Sequence, residues 1–143
     1  MITVAQILRS KGDSAVHTVG PGASVYEAMS LMAEKNIGAL LVSEGEAIIG
    51  IVTERDYARK IVLMGRSSKE ALVRDIMTSP VMYVEPHQSN EECMALITEK
   101  RLRHLPVFDG GKLVGLISSG DLVKEVISEQ SFIIDQLVHY IAG

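Results

Sequence analysis

Hydrophobic and polar positions follow a pattern that occurs twice along the chain. Each copy begins with a short apolar run, 16–19 or 82–84, which predicts a β-strand ending before a proline. Apolar residues at helical spacing follow, and then two apolar strands joined by a glycine turn at 44–45 or 109–111. A second helix begins after each return strand. The pattern predicts an α+β (α/β) fold of two β-α-β-β-α repeats, packed as a pseudo-two-fold pair.

The two copies are related by a shift of 65 residues. Residues 16–62 then align with 81–127 without a gap, and 14 of the 47 pairs are identical. Since a unit of this size is small for a core of its own, we expect the copies to pack on each other with a cleft between them. Similar lead-ins precede them at 4–8 and 73–77. The predicted domains are repeat 1 with its lead-in (1–64), a linker (65–72) and repeat 2 with a C-terminal helix (73–143).

The C-terminal helix is predicted to run from Leu122 to about Ile141. It has more apolar residues than a solvated helix needs. These residues are Val126, Ile127, Phe132, Ile133, Ile134, Leu137, Val138 and Ile141. Two interpretations stay open: the helix packs on its own core, or it also packs against another subunit.

The helix starts carry the candidate chemistry. Both first helices open with Ser-x-x-Glu, at 24–27 and 89–92, which is a capping box. The second helices open with Thr-x-x-Asp at 53–56 and Ser-x-x-Asp at 118–121, each three residues after a glycine. Capping alone is the simple interpretation. Because we expect Glu to reach back to the cap more easily than Asp, the repeated Asp favours a further role.

A nucleotide ligand would explain why both second helices carry Asp at this position. A carboxylate can accept two hydrogen bonds side by side, which matches the vicinal hydroxyls of a ribose. A Thr or Ser hydroxyl and the N–H groups of a helix start suit the ribose edge or a phosphate. The motif therefore predicts a nucleoside or nucleotide ligand.

The doubled unit, ending in Gly-h-h-Thr/Ser-x-x-Asp (h, hydrophobic), resembles a pair of cystathionine-β-synthase (CBS) domains, also called a Bateman module. The resemblance covers nearly the whole chain. It implies a regulatory, non-catalytic protein that binds AMP, ATP, NAD or S-adenosylmethionine between its repeats. By this resemblance, one site comprises Ile51, Thr53, Arg55 and Asp56, faced by Met82, Tyr83, Leu102, Arg103 and His104. The other comprises Leu116, Ser118, Gly120 and Asp121, faced by Thr18, Ile37, Gly38 and Ala39.

The two expected sites differ in charge. Arg55, Arg103 and His104 gather at the Asp56 site, whereas the matching positions of the Asp121 site are glycine or alanine. Because guanidinium groups suit phosphates, we expect the Asp56 site to hold the more phosphorylated end of a ligand and the Asp121 site to take a less charged adenosine. The alternative is that 100–104 is only a solvated charged segment.

Composition narrows the function classes. The chain has 143 residues, 47% of them hydrophobic, a net charge of −4 and no Trp, which fits one globular domain and argues against a nucleic-acid partner. No apolar run is long enough to span a membrane, and no secretory signal is visible. The single cysteine, Cys93, matches a buried alanine of the first copy, so a small core residue in a reducing, cytoplasmic setting is expected. The histidines lack metal-ligand spacing, and no nucleophile–base pair is visible.

Three functional hypotheses follow from these observations. The favoured one is a stand-alone regulatory module that binds an adenine nucleotide, forms a homodimer and acts on a target protein still to be identified. The second is a dimerisation scaffold in which the motif acids only cap helices. The third, an enzyme acting on a bound nucleotide, has the least support because a catalytic constellation is missing from the sequence.

Overall fold

The computed structural model of the chain describes residues 1–12 and 15–142, and the side chains of all but the last three of these. The elements are α1 (Val4–Lys11), β1 (Thr18–Val19), α2 (Val25–Lys35), β2 (Ala39–Glu44), β3 (Ala47–Thr53), α3 (Glu54–Tyr57), a π-helical turn (Ala58–Val62), α4 (Val73–Ile76), α5 (Asn90–Lys100), β4 (His104–Asp109), β5 (Lys112–Ser118) and α6 (Ser119–Ala142).

The repeated element order predicted from the sequence is confirmed, with one strand much reduced. In repeat 1, β1 pairs in parallel with β2, and β2 pairs antiparallel with β3. In repeat 2, β4 and β5 form the matching antiparallel pair. The strand expected at 82–84 is a single parallel bridge between Val84 and Val107. Gly45 turns the first hairpin with φ +63°, a conformation that glycine adopts without steric cost.

The chain forms two compact units whose limits differ from the predicted domains. One unit contains α1 and the residues from Tyr83 onward, and the other is Ala15–Met82. The sequence placed each lead-in with the repeat that follows it, but each packs with the other repeat. The Val4 N–H donates to the Gln88 carbonyl at 2.8 Å, and the Val73 N–H donates to the Ala23 carbonyl at 2.9 Å.

Burial of apolar side chains explains why each lead-in packs with the other repeat, an arrangement we call the exchange of lead-ins. Val4 and Ile7 of α1 are almost fully buried in a core with Cys93 and the β4–β5 hairpin. In the other unit, Val73 and Ile76 of α4 complete the equivalent core under α2 and the β2–β3 hairpin. A repeat of 47 residues lacks enough apolar surface for a core, so each needs a lead-in to close it.

Each return strand passes close to its lead-in at a glycine. A Cβ at Gly50 would lie 2.6 Å from the Met77 Sδ and 3.1 Å from the Thr78 carbonyl oxygen. A Cβ at Gly115 would lie 2.6 Å from a Leu8 methyl carbon. The motif glycines are therefore required by packing inside each unit.

Over its length up to His139, helix α6 packs on its unit only at its start. Leu122 is buried, whereas every residue from Ile127 to His139 is exposed. The interpretation that the apolar residues of this helix pack on their own core is therefore wrong over that stretch; the Ile141 side chain lies outside the described residues. Among the described helices, none is long and apolar enough to cross a membrane.

Candidate functional site

The Asp56 carboxylate lies at the start of α3, where Thr53 ends β3. Its Oδ2 accepts hydrogen bonds from the Thr53 N–H at 3.0 Å and the Thr53 hydroxyl at 3.1 Å. The Asp56 N–H donates to the Thr53 Oγ1 at 3.1 Å, which completes a reciprocal capping box. The Asp56 side chain is only 12% exposed, so the strand–helix junction holds it in one orientation.

A lysine neutralises this carboxylate. The Lys60 ammonium, one helical turn further along the chain, lies 3.3 Å from the Asp56 Oδ1 and donates to the Ile76 carbonyl at 2.8 Å. Both carboxylate oxygens of Asp56 therefore have partners, and Lys60 ties the motif to the lead-in helix of the same unit.

The second motif repeats this arrangement with a lysine from a different element. The Ser118 N–H donates to the Asp121 Oδ2 at 2.8 Å, and the Asp121 N–H donates to the Ser118 Oγ at 3.1 Å. The Lys11 ammonium of α1 lies 3.0 Å from the same Oδ2 and donates to the Leu116 carbonyl at 2.7 Å. Partial burial by itself raises the pKa of Asp121, but the Ser118 amide and Lys11 outweigh it, so the pKa lies below its ordinary value.

Lys11 is a site residue that sequence reasoning missed. The repeat places Glu125 where the first copy has Lys60, so the equivalent position of α6 holds an acid and not a cation. The lead-in helix provides the ammonium instead, from 110 positions away in the chain. The one available signal was this substitution of an acid for a lysine beside a motif acid.

The charge around Asp121 also differs from the one predicted. A cavity of about 140 Å³ adjoins the carboxylate and is lined by Ile7, Ser10, Lys11, Asp121, Lys124 and Glu125. Two ammonium groups thus lie near a motif for which only small, uncharged neighbours were predicted. The expected preference of this site for less charged ligands is weakened, because cations do reach it from α1 and α6.

Contrary to the expectation from the sequence, Asp is not an unusual cap in this fold. Both motif aspartates close complete capping boxes. At the starts of α2 and α5, by contrast, only the serine side of the capping box is seen among the described hydrogen bonds. Ser24 accepts from the Glu27 N–H at 3.0 Å, and Ser89 accepts from the Glu92 N–H at 3.1 Å. The Glu92 carboxylate accepts from the Gln88 amide at 3.2 Å instead. Asp therefore fits the cap well, and capping alone accounts for the choice of residue.

Within Ala15–Met82, the strand ends bring Gly38 and Ala39 beside Thr53 and Asp56. Ala39 pairs with Thr53 across the hairpin, and the Glu54 N–H donates to the Gly38 carbonyl at 3.1 Å. The remaining predicted residues of the unit are the buried Ile51, the half-buried Ile37 and Arg55, and the exposed Thr18 and Met82.

The other unit has the same arrangement around Ser118. His104 pairs with Ser118 across the β4–β5 hairpin, and the Ser119 N–H donates to the Arg103 carbonyl at 2.8 Å. The other predicted residues here are Leu102, Leu116, Gly120 and Tyr83. Leu102 packs against the core, and the Tyr83 ring meets the Phe108 ring edge-on with 5.2 Å between the ring centroids. Apart from Met82, which belongs to the same unit as Asp56, the two halves of each predicted site belong to different units, and their pairing stays a prediction.

A larger groove in Ala15–Met82 is lined by residues on either side of Asp56 but not by Asp56 itself. It has a volume of about 660 Å³ between α2 and α3. Its lining residues are Tyr26, Met29, Ser30, Met32, Ala33, Asn36, Ile37, Gly38, Glu54, Tyr57 and Ser68. The only charged side chain in this set is the acid Glu54, so the groove is poorly suited to a phosphate.

Cys93 is the core residue expected from its alignment. It is fully buried, and burial, together with the charge of Glu92, raises the pKa of its thiol to about 11. Among the described residues, no three His, Cys, Asp or Glu side chains come close enough together to hold a metal ion.

Comparison with known proteins defines the class. The CBS domain family model matches residues 4–63 and 73–128, so this chain belongs to the CBS-domain family and carries two copies of the domain. The protein CBSX3 of Arabidopsis thaliana, a mitochondrial CBS-domain protein, is 39% identical over 149 aligned positions, which cover 99% of this chain and 72% of the relative.

Solved structures share the fold of the pair. A proposed signal-transduction protein with CBS domains from Burkholderia ambifaria MC40-6 is 63% identical, with a TM-score of 0.86 over 90% of this chain and 96% of the other. CBSX2, solved in complex with AMP, is 26% identical, with a TM-score of 0.70 over 91% of this chain and 99% of the other. The predicted resemblance and the tandem CBS fold are thus confirmed.

Proposed function

We propose that this protein is a regulatory module that binds an adenine nucleotide, AMP, ATP or NAD, in the cleft between its two CBS repeats. The observation that carries the proposal is the pair of equivalent carboxylates. Asp56 and Asp121 are both largely buried at a helix start, and each has a lysine ammonium within 3.3 Å. The AMP complex of the related CBSX2 supports the same class of ligand.

The chemistry of the two carboxylates suits a ribose. An ionised carboxylate offers about four lone-pair sites, and a capping box uses only some of them. At Asp121, the Ser118 N–H and Lys11 both lie on Oδ2, and the Ser118 hydroxyl adds a side-chain hydrogen bond. These three donors leave lone-pair capacity on the carboxylate for a ribose hydroxyl while the cap stays intact, and the nearby ammonium groups favour a phosphorylated ligand.

Regulation follows from the doubled architecture. A ligand held by both repeats stabilises the arrangement in which its contacts are best, and so shifts the population between arrangements by its difference in affinity. We propose that the module transmits this shift to a target protein and works as a homodimer. The signal-transduction role proposed for the Burkholderia relative fits this function.

A thermal-unfolding panel with AMP, ADP, ATP, NAD and S-adenosylmethionine tests the proposal. A ligand that binds only the native state at 100 times its Kd adds about 2.7 kcal/mol of stability. Asp56→Asn and Asp121→Asn keep an oxygen for the cap but lose the charge. Each should abolish the rise in melting temperature that comes from ligand bound at one site.

Asp75→Asn is the matched control. The Asp75 carboxylate accepts the Leu72 N–H at 3.0 Å, which is the acid half of the same kind of cap, outside both motifs. Its variant should keep the full ligand-induced shift. If none of the five compounds stabilises the wild-type protein, the nucleotide proposal fails.

A dimerisation scaffold without a nucleotide ligand is the second candidate. The complete capping boxes of Asp56 and Asp121 favour it, because they give both acids a structural role. It predicts that Asp→Asn at either position lowers stability without changing the response to any nucleotide.

A further inference from the structure

The exposed part of α6 has a coiled-coil pattern. Val123, Ile127, Gln130, Ile134 and Leu137 are separated by four, three, four and three residues, which is a heptad seam with isoleucine at the a positions. We propose that α6 pairs along this seam with α6 of a second copy, as a parallel two-stranded coiled coil. This inference does not depend on nucleotide binding.

The apolar seam residues lie open to solvent. Val123, Ile127, Ile134 and Leu137 are 47%, 57%, 58% and 57% exposed. Large apolar side chains placed at these positions on one helix face are typical of a helix that is covered by a partner. Isoleucine at the a positions 127 and 134, with Leu137 at a d position, favours two parallel strands.

The area of the seam is sufficient for a specific contact. Ile133 and Val138, at 50% and 60% exposed, flank the seam at g and e positions and widen it. Half-exposed side chains of this size bury roughly 500 Å² on each copy, or about 1,000 Å² in total, which reaches the lower limit of a specific interface.

The charges point to a second copy of the chain. Glu125, Glu129 and Asp135 fall at f, c and b positions, on the outer side of a paired helix. From residue 125 to the end of α6 there is no Lys or Arg, so the helix lacks the basic polar face by which amphipathic helices bind anionic membranes. Phe132, at an f position, is not explained by the seam.

Gln130 fixes the register. It is the only polar residue among the five seam positions. In a parallel, in-register pair it lies opposite the same residue of the second copy, where the two side-chain amides can bond to each other. A single polar residue at an a position is known to specify register at some cost in stability, and we infer the same effect for Gln130 at its d position.

Cysteine cross-linking in the full-length protein tests the pairing and its direction. Leu137→Cys places a thiol at a d position, and Glu129→Cys places one on the outer side; both residues are exposed, so neither change disturbs a core. The native Cys93 is buried. Under mild oxidation, the Leu137→Cys protein should form a disulfide-linked dimer and the Glu129→Cys protein should stay monomeric on a non-reducing gel. Equal cross-linking of both, or of neither, would overturn the parallel pairing.

A second measurement uses matched charges. Ile134→Glu puts a charge in the seam, and Gln136→Glu puts the same charge at an outer position. By sedimentation equilibrium, the first change should raise the dissociation constant of the dimer at least about tenfold and the second should leave it unchanged. A wild-type protein that is monomeric at all concentrations, or an Ile134→Glu protein that dimerises normally, would contradict the proposal.

Discussion

Lys11→Gln is the most informative single substitution, because it separates a motif acid from its cation. The Lys11 and Asp121 side chains are 30% and 21% exposed, so their ion pair lies between a surface pair and a buried one. Exposed pairs are worth at most about 1 kcal/mol, and breaking a buried pair costs about 3–5 kcal/mol. We expect a loss of about 1.5 kcal/mol at pH 7, or a fall of about 3–6 °C in Tm.

The pH dependence of this loss identifies its cause. The pKa of Asp121 lies below its unfolded value in the native protein, so the carboxylate stabilises the fold above the unfolded pKa of about 3.9. That contribution disappears as the pH falls through the native pKa. The difference between wild type and Lys11→Gln should therefore be constant from pH 7 to 5 and shrink below about pH 4.

Urea unfolding of both proteins across this pH range is the assay. Lys124→Gln removes the same charge from the same small cavity, at a lysine for which the described contacts give no bond to Asp121, and should change stability little. The reasoning is refuted if Lys11→Gln unfolds with wild-type stability at pH 7, or if its deficit is as large at pH 3 as at pH 7.

Two further predictions concern packing. Gly50→Ala and Gly115→Ala each force a methyl group against a lead-in, but at Gly50 a backbone carbonyl adds to the Met77 contact, whereas at Gly115 only the flexible Leu8 side chain must move. Gly50→Ala should therefore cost about 3 kcal/mol in urea unfolding and Gly115→Ala about 1 kcal/mol, and equal costs would contradict the packing described. Because the Cys93 thiol is buried with its pKa raised to about 11, it should not react with a thiol reagent at pH 8 until the protein unfolds, and rapid labelling of the native protein would show that the site opens.

The sequence repeat predicts the elements well because each is short and locally specified. The apolar alternation of the hairpins, the glycine turns and the serine caps all depend on neighbouring residues, so 65-residue periodicity is enough to place them. The exchange of lead-ins could not be read in the same way. Val4 and Val73 fill equivalent positions in different cores, and their spacing from each repeat is compatible with packing on either one.

The chemistry of the site was predictable only in part. The motif acids and their helix starts follow from the local pattern. The Lys11 contact joins α1 to α6, and no local rule links residues so far apart. The fit of Asp to the cap does not follow from side-chain length, because the turn at the end of each strand brings the short carboxylate directly to the cap N–H.

Isothermal titration of AMP into the wild-type protein and the Asp56→Asn/Asp121→Asn double variant tests the central claim most directly. The claim predicts saturable binding to the wild type, no binding to the double variant, and a wild-type isotherm for the Asp75→Asn control. Saturable binding of AMP that survives loss of both motif carboxylates would contradict it.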